Sequence, residues 1–484
     1  MDLEERLPSG WVATRLGEIA QINPGLPNKD LSDDLQVSFL PMKAVEELSG
    51  KVDMSLTVDY AKVRKGYTPF INGDIIFAKI TPCMENGKVA VVDNLKNGIG
   101  FGSTEFHVIR LHETIPRKFL FCYLIQQDFR IDAKRNMKGT AGQLRVPARY
   151  MKEVSMPFPP VNEQRRIVAK VESMFAESKT AREALDKTLF LLRRFRQSIL
   201  FKAFRGDLTQ RDPNDEPAEK LLQRIRQVKQ IHILETNEDQ PSVGLTELPE
   251  TWAWVTIGDL ETFIGSGITP RGGKKVYVNE GIPFIRSQNV YADGFHLENV
   301  AHVTRQMHEE MKRTQVHPND VLLNITGASI GRSTYTPEGF GEANVNQHVC
   351  IIRTGWWMVP VYLSYFLNST YGQDQIFATE SGVTREGLNY KQVRSLRIPL
   401  APLSEQKRVV AKIEEAFSLA DQVEAAVKKA REKAEKIDQA ILAKAFRGEL
   451  VSQDPNDEPA SVLLQHIKAT KQYQKPKTVQ QKIL

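Results

Sequence analysis

Cysteine is scarce in this chain: three residues among 484, Cys83, Cys122 and Cys350, far apart and odd in number. They supply neither a disulfide framework nor metal-ligand spacing, so buried thiols in a reducing compartment are expected. No run of about 18 apolar residues, the length that crosses a bilayer, occurs, and the opening MDLEERLPSG has no apolar stretch of a signal peptide. A cytoplasmic protein with no membrane segment is therefore expected. Catalytic motifs are missing as well. No G-x-x-x-x-G-K-[ST] loop is present, and the nearest string, Gly267 to Lys275, lacks the hydroxyl residue that would hold magnesium. Gly98, Gly100 and Gly102 alternate too closely for a dinucleotide-binding turn. The nine histidines include no H-x-x-x-H pair, and neither C-x-x-C nor the N-P-P-[YF] tetrapeptide of amino-methyltransferases occurs. What remains is a binding protein, expected to have no catalytic residues, metal or cofactor of its own.

What is present is repetition. Ala203 to Ala218 reads AFRGDLTQRDPNDEPA, and Ala445 to Ala460 reads AFRGELVSQDPNDEPA. The offset, 445 − 203 = 242, is half the chain length. A duplication of this size means two equivalent halves facing two equivalent targets. The net charge of +6 suits a polyanionic target.

Each half opens with Leu-Pro-x-x-Trp (Leu7, Pro8, Trp11; Leu248, Pro249, Trp252). Short β-branched runs between Gly, Pro and Asn turns follow. Gly73–Ile80, Lys88–Val92 and Glu105–Leu111 read as strands in the first half, and Asp320–Thr326 and His348–Arg353 in the second. His107 aligns with His348, as structural strand residues. Between such anchors the halves diverge, as one frame with two different contents would. A long helix then closes each half, with Asn162 as the expected N-cap of the first and Gly206 and Gly448 as the left-handed residues that end the two. Stepping alternately by four and three along both helices gives a heptad stripe that includes Val171, Ala181, Leu185, Leu192, Phe195 and Ile199, then Ile413, Val423, Val427, Ile437 and Ile441. That is a coiled-coil seam, read as an antiparallel pairing within the chain, with pairing between chains as the alternative. The acidic turns Asp212–Pro217 and Asp454–Pro459 reverse the chain or dock a partner, and short helices carrying Leu221, Leu222, Ile225 and Val228, or Leu463, Leu464 and Ile467, follow. The basic tail from Lys468 is expected to lack regular structure.

The expected architecture is α+β: two globular, mixed recognition domains related by a pseudo-two-fold repeat and separated by two long helices in an antiparallel coiled coil. The boundaries are 1–158 for the first domain, 159–236 for the central helix and linker, 237–398 for the second domain, and 399–484 for the distal helix and tail.

Reading duplex DNA requires cations for phosphates, with Arg, Lys, Asn, Gln, Ser and Thr on turns that reach base edges. In the first half Lys79, Thr81, Lys88, Lys138, Thr140, Gln143 and Arg145 fit. In the second half Arg271, Lys274, Lys275, Arg286, Ser287, Gln288, Asn289, Asn324, Thr326, Thr384 and Arg385 do.

Taken together, the two Leu-Pro-x-x-Trp openings, the Pro-x-x-Glu-Gln helix starts (Pro160, Glu163, Gln164; Pro402, Glu405, Gln406) and the two AFRG-[DE]-L blocks resemble the specificity subunits of type I restriction–modification enzymes. The resemblance spans essentially the whole chain. It implies a non-catalytic subunit whose two domains each read one half of a split, asymmetric DNA site, with the helices setting the distance between halves. It also implies two partner methyltransferase subunits that bind S-adenosylmethionine and methylate adenine, and motor–nuclease subunits that use ATP and Mg2+. The competing reading is a coiled-coil scaffold that assembles partners without touching DNA.

Overall fold

In the computed structural model of the chain, the described residues are 7–28, 30–140, 142–229, 247–270, 276–380 and 387–473. The chain folds as two compact units, one formed by residues 1–185 with 429–484 and the other by residues 186–428. Neither unit coincides with one repeat of the sequence, because each takes in helical segments from the other repeat.

In the first unit the strand that enters the domain, Val12–Arg15, pairs antiparallel with the strand that leaves it, Ser155–Phe158. Between them lie two four-stranded sheets. One runs, edge to edge, Ala20–Ile22, Phe106–Leu111, Ile75–Ala78 and Val89–Val91, all antiparallel. The other runs Thr57–Asp59, Gln36–Leu40, Ile99–Gly102 and Thr68–Ile71, with a parallel pair at its centre. All four residues of Ile75–Ala78 are buried, so this strand reads as a continuous apolar run without alternation.

The second unit repeats this plan: Ala253–Thr256 with Arg397–Leu400, one sheet of Glu261–Ser266, Val349–Thr354, Val321–Asn324 and Ser333–Tyr335, and another of Ala301–Val303, Ile282–Ile285, Ala343–Val345 and Gln315–Val316. A buried ion pair marks the shared frame. Asp74 accepts both Nε and Nη2 of Arg110 at 2.7 Å and the backbone N–H of Ile71. Asp320 does the same with Arg353, at 2.6 and 2.8 Å, and with His317 N–H. The strand registers correct one alignment. Ile75 faces Ile109 and Val321 faces Ile352, which makes His107 equivalent to Cys350 and His348 equivalent to Glu105.

The long helices are Val161–Arg205 and Leu403–Phe446. Each starts directly after a proline, Pro160 or Pro402, which leaves Asn162 inside the first turn as a partner of Arg165 (3.2 Å), not as the N-cap. Both end in the same backbone motif. Gly206 (φ +80°) and Gly448 (φ +73°) take the left-handed conformation, and the next residue's N–H reaches back to Lys202 O or Lys444 O at 2.9 Å. Within each unit the two helical segments run antiparallel, since Arg166 meets Asp457 and Arg182 meets Asp438 in the first, and Arg408 meets Asp215 and Arg196 meets Glu424 in the second.

Val171, Ile413, Val427 and Ile441 are buried on this seam, and Leu185, Leu192 and Ile199 are half-buried. Ile437 is not on it: its side chain is 49% exposed, as Val423, Phe195 and Ala181 are also exposed. The seam instead takes the next residue in each case, Asp438, Glu424, Arg196 and Arg182, because these four pair with one another across it. Apolarity alone selected the wrong neighbour.

The duplicated block turns out to be internal cement. Phe204 lies in the second unit, 5.1 Å from the Tyr362 ring and 5.2 Å from Phe366. Its counterpart Phe446 lies in the first, 5.1 Å from Phe119 and 5.4 Å from Tyr123. Ala218 N–H bonds Thr251 O at 2.9 Å, and Ala460 N–H bonds Gly10 O at 3.0 Å, so each block ties itself to the Leu-Pro-x-x-Trp opening of the other repeat. The helices after the acidic turns are Ala218–Lys229 and Ala460–Tyr473; Val228 is exposed, and the second helix carries order through Lys468 to Tyr473. Residues 474–484, with Lys475, Lys477 and Lys482, lie outside the described residues.

Candidate nucleic-acid interface

Three loops are stitched together at the end of the strand Ile75–Ala78. Lys79 N–H bonds Glu105 O (2.9 Å), Val146 N–H bonds Lys79 O (2.8 Å), Thr81 N–H bonds Leu144 O (3.0 Å), and Lys138 and Arg145 exchange backbone bonds at 2.9 Å. This brings Lys79, Thr81, Lys138, Thr140, Gln143 and Arg145 into one loop cluster. Lys138, Thr140 and Gln143 are exposed. Arg145 is held by Glu105 through contacts of 2.8–3.1 Å, and its hydrogen bonds keep the Glu105 carboxyl below the ordinary range. The Thr81 hydroxyl is turned to Glu85. Lys88 caps a neighbouring turn, donating to Val45 O at 3.1 Å and Met42 O at 3.4 Å. Its ammonium therefore serves the fold.

The second unit builds the equivalent cluster. Ile325 N–H bonds His348 O (3.0 Å), Leu388 N–H bonds Ile325 O (2.8 Å), and Thr326 bridges to Gly387. Ser287, Gln288 and Thr326 line a pocket of about 640 Å3 together with Tyr291, Ser329, Arg332 and His348. Two expected contact residues point inward instead. Asn289 is 2% exposed and closes its own turn, accepting from Arg286 N–H (3.1 Å) and donating to His296 O (2.9 Å). Asn324 is fully buried and donates to Ser287 O (2.8 Å) and Ser329 Oγ (3.2 Å). An amide that satisfies backbone groups in the interior is not available to a base edge. Arg286 donates to Asn299 O at 3.2 Å, and the Thr326 hydroxyl meets His348 Nδ1. Arg271, Lys274, Lys275, Thr384 and Arg385 lie outside the described residues. Tyr291, Ser329 and Arg332 join the pocket without being among the expected contacts; the G-A-S-I-G-R string after Thr326 is the sequence signal for two of them.

His107 is buried between Asn23 and Val146 O (2.8 Å), and desolvation lowers its pKa. Burial pushes the Cys122 and Cys350 thiols up to about 12. Among the described residues no His/Cys/Asp/Glu group is arranged to hold a metal ion, and no helix is long and apolar enough to cross a membrane.

Comparison with known proteins matches this arrangement. The family described as type I restriction modification DNA specificity domain matches residues 8–185 and again 249–430. The EcoAI specificity subunit of Escherichia coli is 30% identical, over 88% of this chain and 80% of the relative. The EcoEI specificity subunit, also from Escherichia coli, is 29% identical over 88% and 81%, and the EcoKI subunit of strain K12 is 23% identical over 96% of both. Among solved structures, the fold is shared with a chain from work on the assembly and conformational transition of the type I R-M system (TM-score 0.69, 23% identity, 92% of this chain and 99% of that one). It is also shared with the HsdS subunit from Thermoanaerobacter tengcongensis (TM-score 0.55, 23% identity, 92% and 98%). Two matched regions on a duplicated frame, with relatives aligned over most of their length, give one conclusion: the chain belongs to the family of type I restriction–modification specificity subunits.

Proposed function

We propose that this chain reads a two-part, asymmetric DNA sequence, one half-site per unit, for a cytoplasmic type I restriction–modification complex. The observation that carries the reading is one frame built twice around unlike loops: the same sheets, helix ends and Asp–Arg pairs hold different polar residues in the two loop clusters. Two copies of one reader would carry the same loops. The recognition domains are assigned to 1–158 and 237–398, and the helices and linkers to 159–236 and 399–484. Catalysis belongs to the partners: two methyltransferase subunits using S-adenosylmethionine to methylate adenine, and motor–nuclease subunits using ATP and Mg2+. Half-sites read from one face of the duplex lie about 10 bp apart, one helical turn.

Co-expression with the cognate methyltransferase subunit, followed by genome-wide mapping of methylated adenine, tests this. The expected motif is bipartite, and replacing residues 250–395 with those of a relative changes one half only. A continuous motif, or a change in both halves, would overturn the reading.

A further inference from the structure

Strand register makes Lys88 and Arg332 equivalent. Phe77 pairs with Val89 as Leu323 pairs with Ser333, and the two cations precede Val89 and Ser333. Their surroundings differ. Lys88 is consumed by the carbonyls of Met42 and Val45. Arg332 lies 4.7 Å over the Tyr291 ring, and among the described residues its guanidinium donates no hydrogen bond. Tyr291 is itself stacked on His296, 4.0 Å between centroids with 16° between planes. The aromatic face thus holds the guanidinium in the pocket lining by a cation–π contact and occupies none of its N–H donors.

The walls around it are rigid. The interior Asn324 amide clamps Ser287 O and Ser329 Oγ, on two different segments of the pocket. Gln373 Nε2 holds Gly331 O at 2.9 Å, and Gly331 has φ +84°, where a Cβ would lie 2.7 Å from Gln373 Oε1. Neighbouring arginines are engaged elsewhere: Arg286 on Asn299 O, Arg353 on Asp320 and Arg305 on Glu342. Among the described residues of this cluster, Arg332 alone combines an aromatic contact with unoccupied donors.

A planar fork of N–H donors held over an aromatic ring matches the O6 and N7 acceptors that guanine presents in the major groove. We infer that Arg332 is a specificity-determining residue of the second unit, reading a guanine in its half-site from the pocket formed by Gln288, Tyr291, Thr326, Ser329 and His348. This rests on the proposed DNA-reading function and names the base class for one position within it.

The test is methylome mapping of the co-expressed complex, with Arg332→Ala, Arg332→Lys and Tyr291→Ala beside the parent chain. If the parent yields no bipartite motif, the functional proposal itself fails. If it does, Arg332→Ala is expected to relax one guanine in one half-site by about tenfold or more, with the other half unchanged. Arg332→Lys keeps the charge but not the fork, and is expected to relax the same position. That variant decides the matter if the alanine variant does not assemble. Tyr291→Ala is expected to relax the same guanine more weakly. An unchanged motif in the assembled lysine variant would overturn the inference. So would uniform weakening at every position, the signature of a phosphate contact.

Discussion

Asp215 and Asp457 stand 242 residues apart, and each is spent on an arginine in the first turns of a long helix. Hydrogen bonds from Arg408 hold the Asp215 carboxyl below its ordinary value, and those from Arg166 do the same for Asp457. The acidic turn thus closes each unit by charge-assisted bonds through Asp215 or Asp457, while Asp212, Glu216, Asp454 and Glu458 stay exposed. A carboxyl with a lowered folded pKa stabilises fully above its unfolded value of 3.8, and this stabilisation is lost as pH falls through the folded value. Asp215→Asn and Asp457→Asn are accordingly expected to lower Tm at pH 7. In thermal melts from pH 7 downward, the gap to the parent chain should close below about pH 4. A gap that stays constant to pH 3 would show that the ion pairs do not contribute. The same comparison tests the repeat, since both variants should lose a similar amount.

Along the helices, the seam holds charges of one sign on each helix. Arg182 and Arg196 lie on the first, Glu424 and Asp438 on the second, and 182 + 242 = 424 while 196 + 242 = 438. Equivalent positions therefore carry opposite charges, and the observed pairs are Arg182–Asp438 at 2.5 Å and Arg196–Glu424 at 2.9 Å. An antiparallel partner of the same kind would set Arg182 against Arg196, or Glu424 against Asp438. The seam thus selects the second helix as partner of the first and disfavours pairing of like copies. Reversing both arginines (Arg182→Glu with Arg196→Glu) is expected to cost roughly 1–3 kcal/mol per pair, read as a fall in Tm. Adding Glu424→Arg and Asp438→Arg should recover most of it; no recovery would mean that the loss comes from the arginines' apolar stems alone. These four residues also show where sequence reading stops. A period near 3.5 revealed two coiled-coil helices, yet it placed the seam on Ala181, Phe195, Val423 and Ile437, because an ion pair lets charge sit where apolarity was expected. The loop clusters were legible as polar turns, but which side chains remain free is a tertiary property. Asn289 and Asn324 turned inward, Lys88 was consumed by carbonyls, and Arg332 was freed by an aromatic neighbour 41 residues away, 332 − 291.

For the chain as a whole, the exchange of blocks between repeats has a consequence for connectivity. In the second unit, residues 230–246 link the helix Ala218–Lys229 to the opening at Leu248. The corresponding places in the first unit are the helix Ala460–Tyr473 and the opening at Leu7, which are not joined. Both units are otherwise closed by the same bonds: Trp11 to Glu163 at 3.0 Å and Trp252 to Glu405 at 2.9 Å, with the block hydrogen bonds beside them. Chain continuity through 230–246 should then matter little, since the tie between block and opening already holds without a covalent link in the first unit. A circular permutant beginning at Glu247, with Tyr473 joined to Leu7 by a flexible 17-residue linker, the length of 230–246, tests this. It is expected to melt cooperatively within about 5 °C of the parent and, with the methyltransferase subunit, to direct methylation to the same two half-sites. Loss of the half-site read by the second unit, with the other retained, would show that 230–246 does more than connect. Retention of both would establish that the borrowed block, and not the order of the chain, defines each reading unit.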